Sequence, residues 1–125
     1  MTPRLLVLDD DRNILALLRA YFGGLGWQVE ACAEASACLQ LADSDAPFDA
    51  VICDLHFTGA HLGEGYEILS RARLRRPHCA VVLFTGAAGV GIREEALRRG
   101  ADEVIGKPAP LARLRDAALR AMKKP

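Results

Sequence analysis

The sequence lacks any apolar run close to the ~20 residues that a membrane-spanning helix needs, because its longest runs hold only five or six residues. Its amino end shows no signal-peptide pattern. The four cysteines form neither a C-x-x-C pair nor a disulfide-like framework. These absences argue against a membrane protein and a disulfide-rich secreted protein. We expect a cytoplasmic protein whose cysteines are mostly small buried hydrophobic residues.

Several functional motifs are absent as well. The three histidines are too few and too dispersed for a convincing zinc site. The glycine-rich segment 86–91 has no Lys-Ser or Lys-Thr pair and is not G-x-G-x-x-G, so it is not a nucleotide loop, and we interpret it as a flexible segment. No recognition helix or winged element is evident, which argues against direct DNA binding.

The net charge is zero, but the charges are unevenly distributed along the chain. Residues 1–65 hold three arginines against ten acidic residues, whereas residues 66–125 hold thirteen basic residues against six acidic ones. This asymmetry fits an acidic site at one edge and a basic face that meets an acidic partner, although solvated arginines on exposed helices fit it equally well. A chain of 125 residues is the size of one domain, so we expect a single domain over 1–125 with no output domain.

Short apolar runs alternate with apolar residues at helical spacing, which predicts an α/β fold with a five-stranded parallel sheet and helices on both faces. The alternating run at 27–31 is typical of an edge strand. Asp11 is placed to cap the first helix, and Gly100 to end the fourth. The predicted strands are 5–8, 27–31, 48–54, 80–84 and 103–105, and the predicted helices are 14–22, 35–42, 66–74, 94–99 and 111–122, with a glycine-rich loop over 55–65.

Polar residues follow the strands at one edge of this predicted sheet. The first strand is followed by Asp9 and Asp10, the third ends in Asp54, the fourth is followed by Thr85, and the fifth runs on to Lys107. Because the carboxyl ends of parallel strands share one edge, these side chains converge. Clustered carboxylates need a counter-charge, and a lysine together with Mg²⁺ or Mn²⁺ supplies it. A carboxylate nucleophile, a hard metal, a lysine and a hydroxyl are the groups that phosphoryl transfer to an aspartate requires.

Four segments together resemble the receiver domain of a two-component response regulator, of the single-domain chemotaxis-receiver type, along the whole chain. They are the run from Leu6 to Asp11, the run from Val51 to Leu55, Leu83-Phe84-Thr85-Gly86, and the run from Gly100 to Pro108, with Lys107 22 residues after Thr85. The resemblance implies a flavodoxin-like doubly wound sheet with strand order 2-1-3-4-5. It also implies a phosphorylated, non-enzymatic switch that receives its phosphoryl group from a histidine kinase or a phosphotransfer protein and signals to a downstream protein.

The resemblance also assigns roles to individual residues. Asp54 is the phosphoacceptor, and Mg²⁺ is held by Asp10, Asp54 and the backbone carbonyl of His56, with Asp9 acting through water. Lys107 binds one phosphoryl oxygen and Thr85 swings to bind another. A cis Lys107–Pro108 peptide is expected. The fourth helix, fifth strand and fifth helix form the face for a homodimer or a target.

Two departures from the family pattern bear on the switch. Val104 stands where receivers usually carry a tyrosine or phenylalanine, and Gly65 lies eleven residues after Asp54 instead of eight. The loop is therefore about three residues longer, with Phe57 and Thr58 in place of the usual pair that ends in proline. The output then runs through this loop and segment 86–91, or Thr85 moves without an aromatic follower.

Two other functions remain open from the residues alone. The first is a haloacid-dehalogenase-like phosphatase with Asp9 as nucleophile, because Asp9, Asp11, Thr85 and Lys107 occur in that order. Asp116 is the only acidic residue after Lys107 and falls mid-helix, which argues against this enzyme. The second is a pseudo-receiver that keeps the fold as a binding scaffold without phosphorylation.

Overall fold

The structure, a computed structural model, describes residues 2–57 and 62–123. Strands and helices alternate along the whole of this part of the chain. The elements are β1 Arg4–Leu8, α1 Arg12–Gly24, β2 Gln28–Cys32, α2 Ala35–Ala42, β3 Ala50–Cys53, α3 Leu62–Arg75, β4 Ala80–Thr85, α4 Val90–Arg98, β5 Glu103–Gly106 and α5 Leu111–Met122.

The strands form one parallel sheet in the order β2-β1-β3-β4-β5, which confirms the predicted topology. Strands β3 and β4 are buried along their whole length, as their continuous apolar sequence predicts for strands covered on both faces. Strand β2 lies at the edge and is the most exposed of the five, and it begins one residue later than its pattern predicted. Within the described residues no helix has the length and apolar character needed to cross a bilayer.

The two faces of the sheet carry two hydrophobic clusters, because successive strand residues point to opposite sides. On one face, α1 and α5 pack against Leu5, Val7 and Ile52 through residues such as Phe22 and Leu114. On the other face, α2, α3 and α4 cover the alternate strand residues, including Leu8, Cys53 and Val104. The sheet is thus doubly wound: helices cover both of its faces, and the polar edge at the carboxyl ends of the strands lies between the two helical layers.

Helix α3 differs from its prediction at both the start and the buried face. It begins at Leu62, within the segment predicted as loop, although two glycines with poor helix propensity fall in its first turn. A glycine is required at position 65, because a Cβ there would overlap the Leu55 backbone and approach its carbonyl carbon to 2.7 Å. Leu74, the last residue of the predicted helix, is 67% exposed, because the buried stripe runs through Ile68, Leu69 and Ala72.

Helix α4 also begins earlier than predicted. Val90 and Gly91 belong to it, with Gly89 at its N-cap, so the glycine-rich segment is partly helical rather than a long flexible loop. The helix gives way at Arg99 to Gly100, whose φ of 114° is one that residues with a side chain rarely adopt.

The arginines of the carboxyl half were expected to face solvent or an acidic partner, and this is wrong for two of them. Arg76 is only 7% exposed, and its guanidinium donates to the carbonyls of Leu41, Ala42 and Ala46. Arg73 forms a 2.7 Å ion pair with Asp102, and the two side chains are 18% and 11% exposed, respectively. Both arginines therefore hold the fold together.

Candidate functional site

The carboxyl edge of the sheet forms a polar cleft of about 420 Å³. It is lined by Asp9, Asp10, Asp11, Asp54, His56, Phe57, Gly86 and Lys107. The strand register explains this convergence. Leu8, the last residue of β1, pairs with Cys53 of β3, so the aspartates that follow each strand emerge side by side.

Lys107 lies between two buried carboxylates. Its Nζ is 2.7 Å from Asp9 Oδ2 and 3.0 Å from Asp54 Oδ2. The Asp9 and Asp54 side chains are only 4% and 7% exposed. The backbone N–H of Lys107 donates to the Thr85 carbonyl at 2.8 Å, and the Lys107–Pro108 peptide is cis, as expected. The side chains of three predicted site residues are thus in direct contact, and a backbone hydrogen bond joins the fourth, Thr85, to Lys107.

Burial and charge act in opposite directions on this cluster. Burial raises the pKa of the Asp9 carboxyl above its ordinary value, although hydrogen bonds from Lys107 and the Asp11 N–H partly offset this effect. Burial by itself lowers the pKa of Lys107, but its hydrogen bonds to Asp9 and Asp54 outweigh burial, so the net pKa is raised. The lysine consequently stays protonated at neutral pH, whereas the charge on Asp9 is costly to bury.

Backbone amides fix the orientation of the carboxylates. Asp54 Oδ1 accepts the Leu55 N–H at 2.7 Å and the His56 N–H at 3.4 Å. Asp9 Oδ1 accepts the Asp11 N–H at 2.9 Å. Each carboxylate therefore has one oxygen held by the chain that follows its strand and the other directed at Lys107.

Asp11 is the cap of α1, as its position before the helix predicted. Its side chain accepts the N–H groups of Asn13 at 2.9 Å and Ile14 at 3.4 Å. Two otherwise unpaired donors of the first helical turn are satisfied in this way.

Thr85 is completely buried at the end of β4, next to a side chain that sequence reasoning did not assign. Its Oγ1 accepts the Ala87 N–H at 3.4 Å and lies 3.5 Å from Nδ1 of His56. The His56 imidazole is 57% exposed and also lies 3.9 Å from Asp54 Oδ1. The prediction concerned only the carbonyl of His56. The available signal for its side chain was its position two residues after Asp54, at the same edge of the sheet.

The donor set at this edge suits a hard divalent cation. Carboxylates and backbone carbonyls are oxygen ligands, and Mg²⁺ commonly takes one or two carboxylates and keeps several waters. Within residues 2–57 and 62–123 no three His, Cys, Asp or Glu side chains are already arranged as a metal cage. A carboxylate site of this kind suits an ion that retains much of its water.

The positions that depart from the family pattern have different environments. Val104 is 3% exposed in the core, and its carbonyl accepts Arg93 Nη1 of α4 at 2.8 Å. In the longer loop after Asp54, Thr58 and His61 lie outside the described residues. His78 is exposed between α3 and β4, away from the acidic cleft.

Comparison with known proteins gives a consistent result. A family model described as the response regulator receiver domain matches residues 5–119. The photosynthetic apparatus regulatory protein RegA of Rhodobacter capsulatus is 32% identical over 92% of this chain and 60% of its own length. The transcriptional activator protein PfeR of Pseudomonas aeruginosa is 35% identical over 95% of this chain and 38% of its own length. The chain thus spans less than two thirds of either relative.

Solved structures share the fold. A CheY-like receiver domain from Methanospirillum hungatei superimposes with a TM-score of 0.83 at 26% identity, covering 98% of each chain. A response regulator from Burkholderia pseudomallei, described with a phosphorylated aspartic acid, a calcium ion and citrate, has a TM-score of 0.84 at 23% identity. It covers 93% of this chain and 66% of its own.

Proposed function

Because the chain belongs to the response regulator receiver domain family, we propose that it is a phosphoacceptor switch in a two-component phosphorelay and that Asp54 receives the phosphoryl group. A histidine kinase or a histidine phosphotransfer protein is the donor. The observation that carries this proposal is the Lys107 ammonium, 3.0 Å from Asp54 and 2.7 Å from Asp9 in an open acidic cleft.

In the proposed reaction a carboxylate oxygen of Asp54 attacks the phosphorus of the donor. The new O–P bond forms as the bond from phosphorus to the donor's imidazole nitrogen breaks, and that nitrogen leaves with the electron pair. The Lys107 ammonium stabilises the negative charge on the phosphoryl oxygens, since a fixed cation in a partly buried site is strongly favourable there. Thr85 gives up its contacts with His56 and Ala87 and donates its hydroxyl to a second phosphoryl oxygen.

Asp10, Asp54 and the backbone carbonyl of His56 are the proposed ligands of Mg²⁺, for which Mn²⁺ can substitute, with Asp9 acting through a bound water. When bound, the ion supplies positive charge that lowers the repulsion between the carboxylates and the incoming phosphoryl group. The calcium ion in the similar Burkholderia structure supports a divalent ion of this kind.

The output of the switch is proposed to be a protein contact in the cytoplasm, without catalytic turnover by this chain. The surface we assign to it is the α4–β5–α5 face, formed by α4, β5 and α5, where Val90 is 75% and Leu97 46% exposed. It serves a homodimer or a downstream protein. Val104 is buried beneath it, so a change at Thr85 passes to α4 through the 86–89 connection rather than through a rotating aromatic ring.

The direct test is phosphorylation of the full chain by acetyl phosphate with MgCl₂, followed by intact mass spectrometry. We expect one acid-stable phosphoryl adduct that hydroxylamine removes, that EDTA prevents, and that is absent from Asp54→Asn. Asp45→Asn is the matched control, because this side chain is 94% exposed and lies outside the cleft lining. It should be labelled like the wild type.

Two results would contradict the proposal and identify the alternative. An adduct that persists in Asp54→Asn and disappears in Asp9→Asn would make Asp9 the nucleophile of a phosphatase-like reaction. A wild-type chain that binds no Mg²⁺ and gains no mass would be a scaffold with the receiver fold.

A further inference from the structure

The cysteines are scattered in the sequence, but two of them meet in the fold. Cys32 is the last residue of β2 and Cys38 lies in α2. Both side chains belong to the hydrophobic cluster on the same face of the sheet. The Cys38 Sγ–H donates to the Cys32 carbonyl at 3.4 Å, so the Cys38 sulfur lies directly against the backbone of Cys32.

The two thiols differ in access to solvent. Cys32 is partly exposed at the edge strand of the sheet, whereas Cys38 is completely buried. Burial, reinforced by the neighbouring Cys32 thiol, raises the pKa of Cys38, so this residue stays protonated at neutral pH and is a poor first target. An oxidant dissolved in water therefore reaches Cys32 first.

Cys53 is a less suitable partner for Cys32. The β1 residue Leu8 pairs with Cys32 on one side and with Cys53 on the other, so a whole strand separates these two cysteines. Neighbouring strands lie about 4.8 Å apart, which puts the two Cα atoms well beyond the ~7 Å limit for a disulfide. Cys38 packs above the sheet instead, in the same hydrophobic cluster as Cys32 and with its Sγ 3.4 Å from the Cys32 carbonyl oxygen.

We propose that Cys32 and Cys38 form a thiol–disulfide modification site that a peroxide oxidises. The Cys32 sulfur attacks a peroxide oxygen, an S–O bond forms as the O–O bond breaks, and the first water leaves. The Cys38 sulfur then attacks the sulfur of the Cys32 sulfenic acid, so that an S–S bond forms and the second water leaves. The thiols together lose two electrons and two protons, all of which the peroxide takes up.

The site adjoins the acidic cleft. The Cys32 carbonyl that accepts the Cys38 thiol also accepts the backbone N–H of Asp9 at 3.2 Å. The disulfide would thus lie one backbone hydrogen bond away from the carboxylate that contacts Lys107. Its formation does not depend on the phosphorylation chemistry proposed above.

The test treats the folded full chain with hydrogen peroxide, alkylates the remaining thiols after unfolding, and maps the peptides. A protease that cuts after glutamate and aspartate separates Cys32 from Cys38 at Glu34 and Cys38 from Cys53 at Asp43, so each possible disulfide gives a different pair of linked peptides. We expect two of the four thiols to resist alkylation, and reduction to restore both. Cys53→Ala, the matched control, should form the same link, and Cys38→Ala should retain a dimedone-reactive sulfenic acid on Cys32.

Other oxidation products would overturn the inference. These are over-oxidised Cys32 with Cys38 still free to alkylate, a Cys32–Cys53 link, and a dimer linked through Cys32. The inference would equally be overturned if all four thiols of the peroxide-treated chain stayed reduced and were alkylated after unfolding, whatever the outcome of the phosphorylation test.

Discussion

Lys107 sets the charge balance of the cleft, because it is the cation between two carboxylates that cannot both be well solvated. Asp9 and Asp54 are 3% and 5% exposed, and Asp10 lines the same cleft. One ammonium cannot neutralise both of these buried carboxylates, so the pair keeps unfavourable charge in the absence of a divalent ion. A site of this kind favours the binding of a divalent ion but lowers the stability of the fold without the ion.

Asp9→Asn is therefore expected to stabilise the protein near neutral pH. The pKa of Asp9 is raised in the folded state, so the folded chain holds this proton more tightly than the unfolded chain, and the group's favourable contribution is lost as the pH rises above 3.8. Asparagine has no charge to bury and leaves Lys107 paired with Asp54. We expect the free energy of unfolding at pH 7 to increase by about 1 kcal/mol, measured by urea titration without divalent ions.

The pH dependence provides the control. The difference between wild type and Asp9→Asn should shrink as the pH falls from 7 toward 4, because folded Asp9 takes up its proton at a higher pH than unfolded Asp9 and then no longer buries a charge. Asp45→Asn, whose side chain is 94% exposed, should show no gain at either pH. A less stable Asp9→Asn at pH 7 would mean that the ion pair with Lys107 outweighs the cost of burial.

At the scale of elements, α2 is held by an arginine from the end of α3. Arg76 donates to the carbonyls of Leu41 at 3.1 Å and Ala42 at 2.7 Å, which are the last carbonyls of the helix, and to Ala46 at 2.9 Å. These acceptors have no partner within the helix, and a cation at the carboxyl end also complements the helix dipole. Arg76 thus takes the place of a glycine cap.

Arg76→Ala should destabilise the fold by about 3 kcal/mol, because it removes the guanidinium donor from the carbonyls of Ala42 and Ala46. The Leu41 carbonyl keeps its hydrogen bonds from the N–H and hydroxyl of Ser44. Arg76→Lys should fall between wild type and Arg76→Ala, since lysine lacks the planar fork that reaches several carbonyls at once. The measurement is urea unfolding followed by circular dichroism.

Arg75→Ala is the neighbouring control. Arg75 is 43% exposed and pairs with Asp43 and Asp45, so its loss should change the free energy of unfolding by no more than about 0.5 kcal/mol. Equal changes in the free energy of unfolding at the two positions would show that the buried hydrogen bonds of Arg76 stabilise the fold no more than an ordinary surface ion pair does.

The elements show what the sequence could and could not predict. The strands were predictable because β3 and β4 are short apolar runs bounded by polar or turn residues. The convergence of Asp9, Asp54, Thr85 and Lys107 was predictable because the carboxyl ends of parallel strands share one edge of the sheet. The early start of α3 was not, since its glycines oppose a helix and only the close approach of Gly65 to Leu55 shows why they are present. The burial of Arg76 and the contact of His56 with Thr85 depend on tertiary packing, which one-dimensional periodicity does not contain.

At the scale of the molecule, many arginines of the carboxyl half are already paired within the fold. Arg75 pairs with Asp43 and Asp45, which joins the basic α3 to the acidic amino half. On α5, Arg115 pairs with Asp116 and Arg120 with Glu103. The charge left for a partner is therefore much smaller than the arginine count suggests.

Arg113 is the α5 arginine best placed to meet a partner. It is exposed, and within the part of the chain that the structure describes it has no ion pair. Glu94 is exposed on α4 of the same α4–β5–α5 face, next to the apolar Leu97. A patch that combines both charges with exposed apolar residues suits a second copy of the chain in a two-fold arrangement.

Arg113→Glu should therefore weaken self-association of the activated chain by about tenfold at low ionic strength, and by less at high ionic strength, because salt screens exposed charges. The measurement is sedimentation equilibrium with MgCl₂ and beryllofluoride, the phosphoryl mimic. Arg19→Glu, an equal charge change at an exposed position on α1, should associate like the wild type. If beryllofluoride leaves the wild type monomeric at every concentration, the α4–β5–α5 face binds a different protein. If Arg113→Glu and Arg19→Glu weaken self-association equally, net charge rather than this face controls self-association.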